Sequence, residues 1–236
     1  MTRPSFSPTE PATTITPATT TEKTTTAYLA ESVVEGAPIE DFKQQFQVEG
    51  PLLMYVGNLE SYQGIDLMLA SFAQVLPKAP TAHLIVIGGS AKDIAKYKAQ
   101  TQQQQTENNV HLIGPRPVGN LKHYLSQADI VVSPRTQGEN TPMKLYSYLD
   151  SGKALLATNL VTHTQVCNDQ IAMLADPTVH DFANGILQLI DHPQLRAKLG
   201  VAARAFIEKE HTFEVLSRKL SSLYNWLDSE RASDKK

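Results

Sequence analysis

The chain has 236 residues, of which 41% are hydrophobic, with a single cysteine and a formal net charge of -3. Because the charges are scattered and form no basic patch, we expect no nucleic-acid partner. No stretch reaches the roughly 18 apolar residues of a membrane span and no secretory signal is recognisable, so the sequence is typical of a soluble, cytoplasmic protein.

The single Cys167 excludes an internal disulfide framework. No His/Cys spacing typical of a zinc site is present, so we predict no metal site. A lone cysteine in an apolar context favours a small core side chain over a reactive thiol.

Composition divides the chain into four segments. Residues 1–27 contain eleven threonines and almost no large apolar side chains, so we predict a disordered Thr/Pro-rich tail that cannot offset the entropy of ordering. Residues 28–50 have the character of a linker. Residues 51–228 carry the folded domain, and residues 229–236 are predicted to be a flexible tail.

From Pro51 onward, short apolar runs alternate with amphipathic segments. This alternation predicts a single doubly wound, Rossmann-like α/β domain with a mostly parallel sheet covered on both faces. The predicted strands are 52–57, 82–89, 109–114, 129–134, 153–158 and a shorter one at 171–175. The predicted helices are 64–76, 90–104, 118–128, 142–150, 179–191, 193–209 and 213–228.

Ligands of such sheets bind outside the carboxyl ends of the strands, so the loops 57–64, 88–92, 114–118 and 134–142 are the places to search. Gly57 leaves the first strand and either permits close approach of a ligand to the backbone or makes a tight turn. Neither the G-x-G-x-x-G fingerprint nor the G-x-x-x-x-G-K-[ST] loop occurs, which disfavours a dinucleotide or a nucleoside triphosphate.

The segment "GENTPMKLYSYLDSGKALLATN" (138–159) contains the clearest candidate site. Thr141 is a good helix N-cap and Pro142 suits the first helical position, so unpaired backbone N–H groups at this helix start would bind an anion, unless it is an ordinary helix start. Glu139 is either an acceptor for ligand hydroxyls or a solvated loop carboxylate. The nearest cations are Lys144 and Arg135, with surface charges as the alternative for both.

No Ser/His/Asp order predicts a hydrolase. His163 follows the predicted strand 153–158 and is placed to reach the crevice, although a structural histidine is the more common outcome for such a position.

Five segments carry a family resemblance. They are "LLMYVGNLESYQGIDLMLASFAQV", "HLIVIGG", "VHLIGPRPVGNLKHYLSQADIVVSP", "GENTPMKLYSYLDSGKALLAT" and "LRAKLGVAARAFIEKEHTFEVLSRKLSSLY". Over about residues 51–227, and in this order, they resemble the C-terminal domain of retaining GT-B glycosyltransferases of the group 1, glycogen-synthase-like family. The resemblance implies one half of a GT-B fold that binds a nucleoside-diphosphate sugar as donor substrate, with no other cofactor.

The resemblance also implies roles for individual residues. The helix start at Thr141 and Pro142, with Asn140, would hold the donor diphosphate. Glu139 occupies the first position of the family's E-x7-E pattern, where the carboxylate meets the transferred sugar and is therefore the catalytic candidate. Ser147 occupies the second position, where the family usually has a glutamate that bonds the ribose.

The first loop departs from the family pattern. Many members have an arginine after the glycine that corresponds to Gly57, and a lysine five residues later, both directed at the diphosphate. This chain has Asn58 and Gln63, which donate hydrogen bonds but carry no charge.

The family's acceptor-binding domain has no counterpart in the roughly 50 residues before the first strand. We therefore expect a truncated or split enzyme whose acceptor-binding half comes from another chain or a homodimer partner, docking on an exposed apolar face. The alternatives are a catalytically silent nucleotide-sugar-binding module or gene fragment, and a generic doubly wound domain that binds another phosphorylated ligand.

Overall fold

The computed structural model describes residues 40–233 of the chain. The predicted tail 1–27, most of the predicted linker and the last three residues lie outside this range. The strands are β1 (Leu52–Val56), β2 (His83–Ile87), β3 (Val110–Gly114), β4 (Ile130–Ser133), β5 (Ala154–Thr158) and β6 (Met173–Ala175). The helices are α1 (Phe42–Gln45), α2 (Ile65–Val75), α3 (Ala91–Gln103), α4 (Leu121–Gln127), α5 (Lys144–Asp150), α6 (Val161–Thr164), α7 (Val179–Asp191), α8 (Pro193–Glu210) and α9 (Phe213–Ser233).

The six strands form one sheet in the order β3-β2-β1-β4-β5-β6, and every neighbouring pair is parallel. The predicted doubly wound, Rossmann-like fold is confirmed. The chain first winds outward through β2 and β3, then returns to place β4 beside β1. This reversal between β1 and β4 is the switch point at which such sheets leave a crevice.

The sheet buries both of its faces, because successive strand side chains point to opposite sides. Leu53 and Tyr55 of β1 pack on the face covered by α2, α3 and α7. Leu52 and Met54 pack on the other face, which α1, α4, α5 and part of α8 cover. All five residues of β1 are buried, which explains why this strand appears in the sequence as a continuous apolar run.

Residues 40–50, predicted to belong to a linker, pack on the domain. The Asp41 side chain caps α1 by accepting from the Gln44 backbone N–H at 3.0 Å, and Phe42 is fully buried. The Arg116 guanidinium pairs with both carboxylate oxygens of Glu40, at 2.6 and 3.0 Å. The linker prediction is therefore wrong for these residues, and the partner of Glu40 lies 76 positions away, where it leaves no local pattern.

Helix α9 continues to Ser233, so the prediction of a flexible tail from residue 229 is wrong as far as residue 233. The helix carries seven of the large apolar side chains that are exposed within residues 40–233. They are Phe213, Leu216, Leu220, Leu223, Tyr224, Trp226 and Leu227. None of the described helices is both long and apolar enough to cross a membrane.

Candidate functional site

A cavity of about 250 Å³ opens at the switch point, where the loops after β1 and β4 meet the start of α5. Seven of the residues predicted for the site line it: Gly57, Asn58, Gln63, Thr141, Pro142, Lys144 and Ser147. Val56, Tyr62, Leu121, Arg135, Met143 and Tyr148 complete the wall. Two of the four loops proposed from the sequence, 57–64 and 134–142, thus meet at this cavity.

Two glycines bring these loops together. Gly64 has φ of +75°, and a methyl group there would overlap the carbonyl oxygen of Pro134. This close approach lets the Thr136 N–H donate to the Tyr62 carbonyl at 3.0 Å. Gly57 has φ of +153°, and a Cβ there would lie 3.0 Å from the Tyr55 hydroxyl. Both positions therefore favour glycine for backbone conformation and for space.

The side chain of Asn58 has an unused acceptor. Its Nδ2 donates a long bond of 3.5 Å to the Tyr62 hydroxyl, and its backbone carbonyl accepts from the Tyr55 hydroxyl at 2.6 Å. The Oδ1 atom is buried and has no hydrogen-bond partner among the described residues. Buried polar atoms are nearly always paired, so this oxygen can accept from a ligand N–H or hydroxyl in the cavity.

Lys144 lies at the bottom of the cavity. Its Nζ donates to Gln63 Oε1 at 3.1 Å and sits 4.0 Å above the centre of the Tyr55 ring. Within residues 40–233 no carboxylate forms an ion pair with it. Burial, and secondarily the positive charge of Arg135, lowers the pKa of Lys144 to about 7. Lys144 is thus partly buried in the cavity wall, and its role as a cation for a ligand stays a prediction.

Arg135 is the second cation of the cavity and shapes the loop that follows β4. Its Nε donates to the Gln137 carbonyl at 2.8 Å and its Nη1 to the Asn140 carbonyl at 2.9 Å. The guanidinium also lies 5.1 Å from the centre of the Tyr62 ring. Two of its five N–H donors are therefore used by the protein itself.

Thr141 is not the N-cap of α5. Met143 takes that position, and no side chain caps this end of the helix. The Thr141 hydroxyl instead donates to Gln165 Oε1 at 2.8 Å. Two turn bonds mark the helix start, from the Leu145 N–H to the Pro142 carbonyl at 3.0 Å and from the Tyr146 N–H to the Met143 carbonyl at 3.2 Å. The predicted start at 142 is two residues too early, because a partner 24 residues away satisfies the threonine.

Gln165 was missed by the sequence reading. Its Nε2 donates to the Glu139 carbonyl at 3.0 Å while its Oε1 accepts from Thr141, so one amide holds both ends of this short segment. Glu139 and Asn140 themselves are exposed and do not line the cavity. A glutamine in a polar turn carries no sequence signal that would have revealed this bridge.

His163 is structural. It is fully buried, and its Nδ1 donates to the Thr158 carbonyl at 2.9 Å while its Nε2 lies 2.9 Å from the Ser133 hydroxyl. Burial lowers the pKa of His163 to about 4, so the ring is neutral at pH 7 and Nε2 accepts from Ser133. The structural histidine that the sequence favoured is therefore confirmed, and the ring joins the ends of β4 and β5.

Tyr148 fastens α5 to the end of β1. Its hydroxyl accepts from the Val56 N–H at 2.7 Å and donates to the Val56 carbonyl at 3.1 Å. Burial raises the pKa of this phenol well above its usual value. Ser147, the preceding residue, is partly exposed and lines the cavity. The position of Ser147 is thus fixed by its buried neighbour.

A larger depression of about 550 Å³ lies among β6, α7 and α8. Its wall includes Asp169, Asp176 and Asp181, whose charges repel an anion. The smaller cavity, with Lys144 and Arg135 in its wall, is therefore the better site for a phosphate-bearing ligand. Within residues 40–233, no group of three or more His, Cys, Asp or Glu side chains is arranged to hold a metal ion.

Comparison with known proteins identifies relatives of this domain. A family model described as glycosyl transferases group 1 matches residues 37–206. A D-inositol 3-phosphate glycosyltransferase from Corynebacterium diphtheriae is 26% identical over 186 residues, which cover 73% of this chain and 42% of that protein. A GDP-mannose-dependent monoacylated alpha-(1-6)-phosphatidylinositol monomannoside mannosyltransferase from Corynebacterium glutamicum is 23% identical over 180 residues, covering 73% and 46%. The chain thus spans about half the length of these curated relatives.

Solved structures share the fold. The C-terminal domain of a glycosyl transferase group 1 family protein from Francisella tularensis has a TM-score of 0.64 at 19% identity, covering 79% of this chain and 96% of that one. The Anabaena HepE protein, solved in complex with UDP-glucose, has a TM-score of 0.68 at 18% identity, covering 78% and 51%.

Proposed function

This chain belongs to the group 1 glycosyl transferases, and we propose that its described domain is the donor-binding half of an enzyme that transfers a hexose from a nucleoside-diphosphate sugar with retention of configuration. The observation that carries the proposal is the cavity at the switch point. It combines an ammonium, a guanidinium and an unpaired amide oxygen in the wall, at the place where this fold class binds its ligands.

The diphosphate is assigned to the inner part of the cavity. Lys144 and Arg135 face it, and a diphosphate brings the negative charge that Lys144 lacks as a partner. The volume of about 250 Å³ is just below the roughly 300–1,000 Å³ of ligand pockets. The cavity therefore encloses part of a nucleotide sugar, and the remainder extends past the rim toward the second half of the enzyme.

The predicted site residues fit this placement with distinct roles. Thr141 and Pro142 border the diphosphate, and Ser147 hydrogen-bonds the ribose. Glu139 and Asn140, exposed beyond the rim, meet the hydroxyls of the transferred sugar where it projects from the cavity. The nucleobase is a matter for experiment, because the relatives include one named for GDP-mannose and the fold neighbours one solved with UDP-glucose.

The proposed chemistry depends on position and electrostatics. A leaving nucleoside diphosphate gains negative charge in the transition state, and cations already in place in a partly buried site stabilise that charge without reorganisation. Glu139 would orient the sugar so that its anomeric carbon faces the acceptor. No proton shuttle among the described residues is required for this account.

An acceptor-binding half completes the proposed enzyme. Met143, on the cavity wall, is 56% exposed, and α9 presents the apolar side chains described above. Exposed apolar surface of this extent is typical of a docking face. We propose that the acceptor-binding half, in a partner protein or a second copy, packs against α9 and closes the cleft above the cavity.

The alternative is a binding module that holds a nucleotide sugar but is catalytically silent because no acceptor-binding half completes the cleft. Calorimetric titration of the full chain with UDP-glucose, UDP-N-acetylglucosamine and GDP-mannose tests the shared premise of both functions. We expect at least one to bind and UDP or GDP to compete. Failure of all three to bind would overturn the proposed function in both forms.

Transfer distinguishes the two forms. The chain is incubated with the donor that binds and with an acceptor-domain protein co-purified from the native cell, and glycosylated product is measured by mass spectrometry. Product that is lost with Glu139→Gln supports the enzyme. Donor binding without transfer, with such a partner present, supports the silent module.

A further inference from the structure

Lys144 and Arg135 both keep hydrogen-bond donors that the described residues do not use. The protonated ammonium has three donors, and Gln63 uses one of them. Arg135 already donates through Nε and Nη1 to two backbone carbonyls. An anion that enters the cavity therefore finds open donors on both cations, and only Lys144 can change its charge near pH 7.

Among the residues that the structure describes, the surroundings of Lys144 supply no negative charge. The groups facing it are Tyr55 from β1, Tyr62 and Gln63 from the first loop, Arg135 from the loop after β4, Tyr148 from its own helix and His163 from α6. Burial raises the pKa of Tyr55 and Tyr148 and lowers that of His163 to about 4, so these groups are neutral around pH 7. Arg135 is positive and repels the ammonium.

A buried amine in this environment keeps its proton poorly until a counter-charge arrives. Burial and Arg135 hold the pKa of Lys144 at about 7, so in the free protein roughly half of the amines are uncharged at that pH. A phosphate oxygen close to Nζ favours the charged form and raises the pKa. Binding and protonation are then linked.

We propose that the cavity takes up its phosphate-bearing ligand together with one solvent proton that adds to the Nζ lone pair of Lys144, and that the resulting ammonium joins the Arg135 guanidinium in binding the ligand's diphosphate. This inference rests on the proposed nucleotide-sugar function and adds its pH dependence. On this proposal Asn58 and Gln63 do not have to be charged, because Lys144 of α5 places its ammonium beside Gln63.

The sign of the effect follows from the two protonation states. Binding is strongest where the amine is already protonated, below the pKa of about 7, and weakens as the pH rises and a proton must be taken from solvent. Between pH 6 and pH 8 we expect the dissociation constant of a nucleotide sugar to increase about tenfold. At pH 7, about half a proton is taken up for each ligand bound.

Titration calorimetry of the full chain measures this uptake. UDP-glucose or GDP-mannose is suitable because its diphosphate does not ionise near neutral pH. Titrations at pH 7 in PIPES and in Tris, which differ in ionisation enthalpy, give the number of protons bound. A nucleotide sugar that binds with no difference between buffers and no change from pH 6 to 8 overturns this inference alone. No binding at any pH overturns the proposed function as well.

Variants locate the proton. Lys144→Met should abolish the proton uptake and weaken binding at pH 6, while Lys198→Met, an exposed lysine of α8, should behave like the unchanged protein. The exchange Gln63→Lys with Lys144→Gln keeps one amide and one ammonium side by side, and it should restore the binding that Lys144→Gln alone loses. Equal losses in the exchange and the single variant would contradict the assignment.

Discussion

Two parts of the cavity wall differ in what holds them. Lys144 and Tyr148 belong to the cavity floor, where one rests on the buried Tyr55 ring and the other is bonded to the end of β1. Residues 137–141 form the outer loop, which is exposed except for Thr141 and is held by Arg135 and Gln165 through side-chain bonds. The floor is part of the core, whereas the outer loop can change with little cost to the fold.

This difference separates two tasks. Charge stabilisation needs a fixed cation, since a site that has to rearrange spends part of its binding energy on doing so. Sugar choice needs a surface that can vary between relatives without loss of stability. On the proposed function, the cavity floor performs the first task and the outer loop the second.

The largest effect on stability is expected at Gly64, where the loop after β1 meets the loop after β4. Gly64→Ala puts a methyl group against the Pro134 carbonyl at a positive φ, and we expect a loss of about 3 kcal/mol in the free energy of unfolding. Urea denaturation measures it. Gly119→Ala is the matched control, because a Cβ there meets nothing within 4 Å, and equal losses in the two variants would contradict the close approach.

His163 joins the ends of β4 and β5 beneath the cavity wall. We expect it to make the free energy of unfolding depend on pH. Its pKa is about 4 in the fold against 6.5 for an unperturbed histidine, so the unfolded chain binds more protons between these values. The contribution of the neutral ring to the free energy of unfolding is complete above pH 6.5 and is lost as the pH falls toward 4, by about 3 kcal/mol. Urea denaturation between pH 4 and pH 7 measures this dependence. His163→Gln should make the free energy of unfolding change less with pH than in the unchanged protein, whereas His180→Gln, at an exposed histidine, should not.

The cavity floor alone is tested by Tyr148→Phe. This substitution leaves the buried Val56 N–H and carbonyl without their side-chain partner, and we expect a loss of about 2 kcal/mol in the free energy of unfolding. Denaturation of Tyr224→Phe provides the comparison, since that tyrosine is 65% exposed on α9. A Tyr148→Phe protein as stable as the control would show that α5 is held in another way.

The outer loop alone is tested by Gln165→Leu, with the smallest effect on stability, under about 1 kcal/mol. Loss of the bonds to Glu139 and Thr141 should weaken the binding of a nucleotide sugar more than that of the free nucleoside diphosphate. Titrations with UDP-glucose and with UDP compare the two. Equal weakening of both ligands would mean that the outer loop does not contact the sugar.

The fold was predictable because its evidence is local. Apolar runs such as Leu52–Val56 alternate with amphipathic helices, and the strand-to-helix order alone requires a parallel sheet. That sheet then places residues 57–64 and 134–142 at one crevice. Seven predicted site residues line that crevice, although the sequence shows none of their contacts directly.

The rest was not predictable, since it depends on pairs far apart in the chain. Thr141 fits a helix cap by its type and position, yet its hydroxyl is used by Gln165. Residues 40–50 resemble a linker in composition, yet Glu40 is paired with Arg116. Such contacts leave no periodic pattern in the sequence. A prediction from neighbouring residues alone therefore gives each residue the role that is most common for its type.

Cys167, confirmed as a core side chain, is 3% exposed, and burial raises the pKa of its thiol to about 12. Only the thiolate reacts readily with alkylating reagents. The chain has no other cysteine. The rate at which Cys167 is alkylated therefore measures how often the core beneath α5 and α8 opens. A nucleotide sugar that holds α5 more tightly to the sheet should slow the alkylation of Cys167. Ligand binding would then be detected through a residue outside the cavity.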